Sequence, residues 1–578
     1  MNVAAGGNDT AVRGGSAAAK TQRFVTRPAG DVEWTIHEAL ADRLLGEAGL
    51  RWAEWTAPHA ASVVKTGPHR TVYRLDLPAG EFYLKQFRLA DWKALLRNLV
   101  RTCPAEIEWQ AAHRIAACGL PTFETIAMGR RMRAGVVCEN YLVTRGIPGA
   151  LPLDQFWQSV VARFSTARQA IVRQQLAGVL GRLTARLHRS GVEHADFHAG
   201  NLLVVWNGSD LPELFVIDLN AARFHRVLAP AARRRNLALL YRSMALIATL
   251  ADRLRFFQAY SAELSAAAAD RDEINRLEAA CRASAHAGWR RADRAWRRGN
   301  RHVRQLDTPA TGCRGLAVLD AQRLAMIRDN PESLFAEQLD YWCKRSGRHR
   351  VAAVTPLLQG SSSLAFWKCI DYRSWYDRLL GRFRESAVRR GWEIGHAFLR
   401  RGIATPMPLL FVEARGPGLR RDYLLTEAVR HSTTLAEFCA AQWPRLLPVQ
   451  QRHWKLGLTR RLALQLRRLH ECRYDHRDLK FQNILVSQDP AADAVWLLDL
   501  DAVRAWPWRS RSRAVQNLAR LNVSSLMRTM FQKTDRLRFL KTYLGVRFAA
   551  EWRNWWRAIA CRSRKKQYQN QHRGRPLT

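Results

Sequence analysis

The chain repeats itself, and no other feature limits its fold so tightly. Tyr141-Leu142-Val143-Thr144 returns as Tyr423-Leu424-Leu425-Thr426, and His194-Ala195-Asp196 with Asn201 returns as His476-Arg477-Asp478 with Asn483, both 282 residues on. Val216-Ile217-Asp218-Leu219-Asn220 matches Leu497-Leu498-Asp499-Leu500-Asp501 at 281, and Asp252-Arg253-Leu254-Arg255-Phe256 matches Asp535-Arg536-Leu537-Arg538-Phe539 at 283. An offset held this closely over such a span is the mark of tandem duplication, with copies of about 270 residues.

The repeated residues carry a recognisable chemistry. Phosphoryl transfer needs a carboxylate to orient the accepting hydroxyl, and an Asn with a second Asp to hold magnesium against the phosphates. His476-Arg477-Asp478 followed five residues after the Asp by Asn483 has the spacing of a kinase catalytic loop. The apolar runs Ile484–Val486 and Leu497–Leu500 read as two short buried strands that bring Asp499 beside Asn483. On this reading Asp196 and Asp478 are the catalytic residues, and Asn201, Asp218, Asn483 and Asp499 the metal ligands. Asp and Asn are also common turn residues, but chance rarely assembles the whole ordered set twice.

The N-terminal part of each copy supplies candidate nucleotide contacts. Alternating apolar residues flank Gly67 between Val63 and Tyr73, which predicts a β-hairpin whose Gly turn lets backbone N–H groups approach phosphate. Gly67-Pro68-His69-Arg70 recurs as Gly347-Arg348-His349-Arg350 at an offset of 280. Lys85, on the strand Phe82–Lys85, and its counterpart Lys368 are placed to anchor the α- and β-phosphates. A helix over roughly Ala105–Cys118, closed by Gly119, carries Glu108 as the partner that fixes Lys85. In the second copy, aligning Trp109 with Trp392 puts Gly391 in the place of Glu108. Glu393 lies about 200° further round the helix and is expected not to replace it. Thr144 and Thr426 end the strands that lead to the hinge between lobes, where adenine is expected.

The expected fold is therefore α+β: two tandem bilobed kinase-like domains, each with a small β-rich N-lobe and a helical C-lobe. Residues 1–30, Ala/Gly-rich and polar, read as a disordered tail. Domain 1 is expected over 31–305, a linker with Pro, Gly and Thr over 306–312, domain 2 over 313–560, and a poorly ordered basic tail over 561–578. The helical, basic stretch Trp289–Arg304 is expected to close the first copy, and the segments Ala222–Arg235 and Arg504–Arg513 to form basic rims around the acceptor sites.

Composition removes several classes. No apolar run is long enough for a transmembrane helix, and the N-terminus lacks the apolar core of a secretory signal, so cytoplasmic residence is expected. The ten cysteines have neither C-x-x-C nor metal-ligand spacing, which argues against a disulfide framework or a zinc site. Lys and Arg number 92 against 50 Asp and Glu, a formal charge of +42, and such a field draws polyanions. No base-reading motif accompanies it, so no specific nucleic-acid partner is expected.

Taken together, Lys85, Glu108-Trp109, the His194–Asn201 stretch, Ile217-Asp218-Leu219 and their second-copy counterparts resemble the lipopolysaccharide kinase family, the Kdo and heptose kinases, which look like protein kinases. The resemblance runs from about residue 40 to 560. It implies an ATP- and Mg2+-dependent kinase acting on a sugar hydroxyl of the lipopolysaccharide inner core or a related envelope saccharide. The acceptor would be lipopolysaccharide or an anionic glycolipid, met by peripheral association at the cytoplasmic face of the inner membrane. Two rival readings have residues behind them: a Ser/Thr protein kinase, from Arg477 before Asp478, and an active first copy regulated by a pseudokinase second, from Gly391.

Overall fold

A computed structural model describes residues 23–56, 60–67, 69–88, 102–133, 135–208, 210–264, 271–346, 348–356, 364–372, 385–414, 420–489, 494–523 and 530–572. The chain divides into two compact units, Met1–Ala285 and His286–Thr578.

In the first unit a seven-stranded antiparallel sheet is built from β1 (Phe24–Ala29), β2 (Val32–His37), β3 (Ala61–Thr66), β4 (Arg70–Leu77) and β5 (Gly80–Arg88), then, after helix α1 (Pro104–Ala117), β6 (Thr125–Arg133) and β7 (Val136–Arg145). The strand order is β1-β2-β6-β7-β5-β4-β3. Trp34, Ile36, Leu75, Phe82, Leu84 and Val143 alternate inward to make its core. Pro104 opens α1, and Gly119 just beyond it takes φ +65°, the left-handed geometry that ends helices. A helical lobe follows, with α2 (Thr166–Arg189), the short hairpin β8 (Leu202–Val205) and β9 (Glu213–Val216), α3 (Pro230–Met244), α4 (Leu250–Glu263) and α5 (Arg271–Arg298).

The second unit repeats the plan. Strands β10 (Val303–Gln305), β11 (Thr311–Leu316), β12 (Leu339–Ser346), β13 (His349–Val354) and β14 (Ala365–Tyr372) come first. After α6 (Ala387–Arg400) come β15 (Pro408–Ala414) and β16 (Arg420–Glu427). Their order, β10-β11-β15-β16-β14-β13-β12, is the first sheet's order strand for strand. The lobe beneath has α7 (Pro448–Glu471), hairpin β17 (Ile484–Ser487) and β18 (Val495–Leu497), α8 (Arg511–Val523), α9 (Lys533–Leu544) and α10 (Phe548–His572). The α+β class and the doubled kinase-like plan agree with the sequence.

The boundaries need four corrections. The tail expected over 1–30 reaches too far, because β1 pairs with β2 from Phe24 to Ala29. Gly30 turns that hairpin at φ +62°, where a Cβ would lie 2.7 Å from the Ala48 carbonyl oxygen. The linker expected over 306–312 is the turn of the β10–β11 hairpin, closed by Thr308 N–H donating to Thr311 O at 2.8 Å. The Pro, Gly and Thr there do mark a turn, but one inside a sheet. Helix α5 belongs to the first unit only up to Ala285, because its aromatic residues find partners in the second: Trp296 stacks on His396, and Trp289 packs on that unit's helical core. Finally, α10 runs through the expected basic tail as far as His572. It is anchored by buried Trp555 and by Ser563, which accepts from Asn522 at 3.0 Å. Among the described residues no helix is long and apolar enough to cross a membrane.

Candidate active site

A buried histidine sets the floor of the first site. His194, at the end of a short strand after α2, bonds through Nε2 to Ile217 O at 3.1 Å and accepts the Asp196 N–H on Nδ1 at 3.2 Å. Burial lowers its pKa, which favours the neutral ring that this accept-and-donate pattern requires. Asn201 donates from Nδ2 to Asp196 O at 2.9 Å, while its own carbonyl accepts the Ile217 N–H at 3.0 Å. These bonds tie Asp196 and Asn201 to the chain that leads from β9 to Asp218. Asp218 itself is left-handed at φ 59°, a conformation costly for a non-glycine residue and held here by its surroundings. The Asp196 carboxyl is open to solvent, 57% exposed, with His198 Nε2 at 3.5 Å.

Three side chains close the site from the sheet side. Lys85, opposite Val72 on β4, makes a short ion pair with Glu108 of α1. Glu108 is fully buried and also accepts from Leu219 N–H at 3.2 Å and Asn220 Nδ2 at 3.1 Å. One carboxylate thus joins the lysine, the helix and the turn after Asp218. Arg70 grips Asp218 with Nη1 on Oδ1 at 2.9 Å and Nη2 on Oδ2 at 3.3 Å. Burial would raise the Asp218 carboxyl, but the Arg70 guanidinium and Lys85 hold it below the usual range. Gly67 closes the β3–β4 turn by donating to Arg70 O at 2.9 Å. Thr144 is buried on β7 opposite Tyr83.

The second site keeps most of the floor, with His476 Nδ1 left without a hydrogen-bond partner among the described residues, and has a different wall. His476 Nε2 bonds Leu498 O at 2.8 Å, Asn483 donates to Asp478 O at 2.8 Å and Oδ2 at 3.0 Å, and Leu498 N–H donates to Asn483 O at 2.9 Å. Asp499 repeats the left-handed turn at φ 58°. Lys480, in the place of His198, holds Asp478 at 2.9 Å, closer than the 3.5 Å between His198 and Asp196. Lys368, opposite Val351, has no helix carboxylate to meet, since Gly391 stands there and Glu393 pairs with Arg297 at 2.6 Å. Its Nζ lies instead 2.9 Å from Asp499 Oδ1 and 3.1 Å from Asp501 Oδ2. Burial alone would raise the Asp499 carboxyl, yet Lys368 draws it down to about 2. Thr426 is half-buried on β16 opposite Phe366. Gly347 lies outside the described residues.

The sheet register corrects the alignment of the two glycine turns. Counted from the lysine, the strand position of Arg70, two residues before Val72, belongs to His349, two before Val351. A slip of one residue sends a strand side chain to the other face, so Arg350 turns away and bonds Glu332. Some arginines of the expected basic rims are bonded within their own units: Arg234 pairs with Glu273, Arg235 with Glu193, and Arg504 donates to Asp501 O.

The donor chemistry suits a small hard cation. With its amide nitrogen committed to the loop carbonyl, each Asn keeps Oδ1 for coordination, beside a carboxylate that already attracts a cation, Arg70 in one site and Lys368 in the other. Such oxygen donors are what magnesium takes.

The sequence profile of the lipopolysaccharide kinase (Kdo/WaaP) family matches residues 55–260 and 371–543. The chain belongs to this family. As a Kdo/WaaP family kinase it is a phosphotransferase with an alcohol group as acceptor, present as a tandem duplication. Among relatives, lipopolysaccharide core heptose(I) kinase WaaP of Pseudomonas aeruginosa is 27% identical over 199 residues, 33% of this chain and 73% of the relative. The 3-deoxy-D-manno-octulosonic acid kinase of Xylella fastidiosa 9a5c is 26% identical over 216 residues, 34% of this chain and 75% of the relative. A solved structure of WaaP in complex with acyl carrier protein covers 39% of this chain and 92% of its own, at 24% identity and a TM-score of 0.29.

Motif spacing does not assign Arg70 or Asp501 to the Kdo/WaaP site. Arg70 reaches Asp218 across 148 residues of sequence, which no local pattern encodes. Asp501 does leave a trace: Asn220 becomes Asp501 in the copy where Glu108 becomes Gly391, two exchanges that make sense only together.

Proposed function

We propose that the chain is an ATP- and Mg2+-dependent kinase that phosphorylates a sugar hydroxyl of the lipopolysaccharide inner core, on Kdo or heptose. The observation that carries this reading is the first site, where Glu108 bonds Lys85 and the turn after Asp218, Arg70 bonds Asp218, and Asn201 bonds Asp196 O and the residue before Asp218, in a chain whose relatives act on those sugars.

In this reading Lys85 and Lys368 orient the α- and β-phosphates of ATP, and the turn that Gly67 closes through its bond to Arg70 O lies over them. Thr144 and Thr426 sit on the strands leading to the adenine side. Asn201 with Asp218, and Asn483 with Asp499, would hold magnesium, which when bound would neutralise charge on the phosphates. Asp196 and Asp478 accept the proton of the attacking sugar hydroxyl, and their loop carbonyls, fixed by the Asn amides, keep each carboxylate in line with the donor. The exposure of Asp196 leaves room for a bulky saccharide. The +42 charge favours approach to a lipid surface carrying anionic headgroups, consistent with peripheral work on the cytoplasmic face of the inner membrane.

Mass spectrometry of lipopolysaccharide from cells lacking the chain tests the reading. Loss of one or more phosphates from the inner core is expected. An unchanged phosphate count, with label from ATP entering protein instead, would overturn it in favour of a protein kinase.

A further inference from the structure

In the first unit one buried carboxylate, Glu108, ties α1 to Lys85 and to the turn after Asp218. The second unit breaks this arrangement at Gly391 and rebuilds it elsewhere. Asp501 occupies the position of Asn220, two residues after the left-handed Asp, in the same short turn. Where Asn220 Nδ2 donates to the helix carboxylate at 3.1 Å, Asp501 presents its own carboxylate to Lys368 at 3.1 Å. Its backbone is pinned as well, the Asp501 carbonyl accepting from Arg504 Nη1 at 2.8 Å and from Arg390 Nη1 at 3.4 Å. Arg390 immediately precedes Gly391 on α6, so the helix still reaches the turn, through an arginine and a carbonyl.

We infer that Asp501 is the positioning residue for Lys368, doing in the second unit what Glu108 does in the first, and that the second unit is a working nucleotide site. The inference rests on the kinase reading above. Asp499 is the second unit's metal-side carboxylate, so a cation bound there would compete with Lys368 for its charge. Without Asp501 the ammonium would then have no fixed partner, because α6 offers none. With Asp501 it keeps one that no metal ligand role claims. The rearrangement has a mechanical consequence too. Lys85 is held by α1 directly, whereas Lys368 is held by the turn that also carries Asp499 and meets α6 only through that turn's bond to Arg390.

Full-length chain carrying Lys85→Met, which silences the first site, isolates the second, and binding of N-methylanthraniloyl-ADP with Mg2+ reports on it without any acceptor. One probe per chain is expected. Adding Asp501→Asn should weaken binding at least tenfold while the melting temperature of the unliganded chain holds within a few degrees. The reciprocal exchange guards against misfolding of that variant. In chain silenced at Lys368→Met, Glu108→Gln should weaken probe binding to the first site, and Glu108→Gln with Asn220→Asp should restore it to within a few-fold. No probe bound by the folded Lys85→Met chain, unaltered binding with Asp501→Asn, or no recovery with Asn220→Asp would each overturn the inference. Because the probe needs no sugar, failure of the acceptor assignment would leave all these outcomes unchanged.

Discussion

Asp218 and Asp499 take φ 59° and 58°, and the same left-handed strain of order 1 to 3 kcal/mol at equivalent positions in both copies is hard to maintain without a use. In each unit the turn aims the carboxylate at the cationic side chains while the preceding residue's N–H and carbonyl stay bonded to the Asn and His of the preceding loop, Asn201 and His194 in one unit and Asn483 and His476 in the other. These residues were legible in the sequence because their spacing is local: five residues from Asp to Asn, and a strand hairpin to the second Asp. Arg70 was not, because its partner is set by the sheet register and not by neighbours in the chain. The one-residue slip between the glycine turns shows how far identity matching alone can mislead. At this scale Glu108→Gln should lower first-site phosphoryl transfer by about tenfold or more, since it releases Lys85 from α1 and from the turn. Steady-state kinetics with the second site silenced by Asp478→Asn checks it, and rates equal to the parent would deny Glu108 its role.

Elements within each lobe are joined by a second repeated device. His188 on α2 bonds Tyr260 of α4 at 2.8 Å, and His470 on α7 bonds Tyr543 of α9 at 2.8 Å. Burial pushes both imidazoles down to about 4. Between pH 6.5 and 4 the unfolded chain takes up a proton that each folded histidine refuses. Stability is therefore untouched above pH 6.5, falls as pH drops, and has lost about 2 kcal/mol per histidine by pH 5. Melting temperatures at pH 7.5 and 5.0 should show this decline, and His188→Gln with His470→Gln should make it shallower, with buried His396 keeping its own share; an equal decline in the variant would refute the assignment. Packing between elements is similarly tight at α6, where a Cβ on Gly395 would fall 2.4 Å from Pro408 Cγ. Gly395→Ala should destabilise the second unit by about 1 to 3 kcal/mol, read as a lower urea midpoint; an unshifted midpoint would contradict the packing. The sequence foretold the helices and hairpins around the site but misjudged the chain's punctuation. A Pro-Thr-Gly turn looks alike in a linker and in a hairpin, and the basic C-terminal run hides a helix whose apolar anchors, Trp552, Trp555, Trp556 and Ile559, stand before it.

Across the whole molecule the duplication is complete in plan and unequal in detail. Both sheets follow one strand order, both floors use the same histidine, Asn and left-handed Asp, and the departures cluster where the lysine is held: Glu108 with Asn220 in one copy, Gly391 with Asp501 in the other. Loss of function in the second copy would be expected to erode the floor along with the wall, and the second copy keeps the Asn483 bond to the Asp478 carbonyl, the His476 bond to Leu498 O and the left-handed Asp499. The most direct measurement is transfer of labelled phosphate from ATP to purified lipopolysaccharide core by the full chain and by its Asp196→Asn, Asp478→Asn and doubly substituted forms. General-base help is worth about 10² to 10⁴ in rate. Each single variant should therefore retain the other site's transfer and the double variant should fall by that factor, with magnesium required throughout. Undiminished transfer by the double variant, or none by the parent chain, would contradict the account.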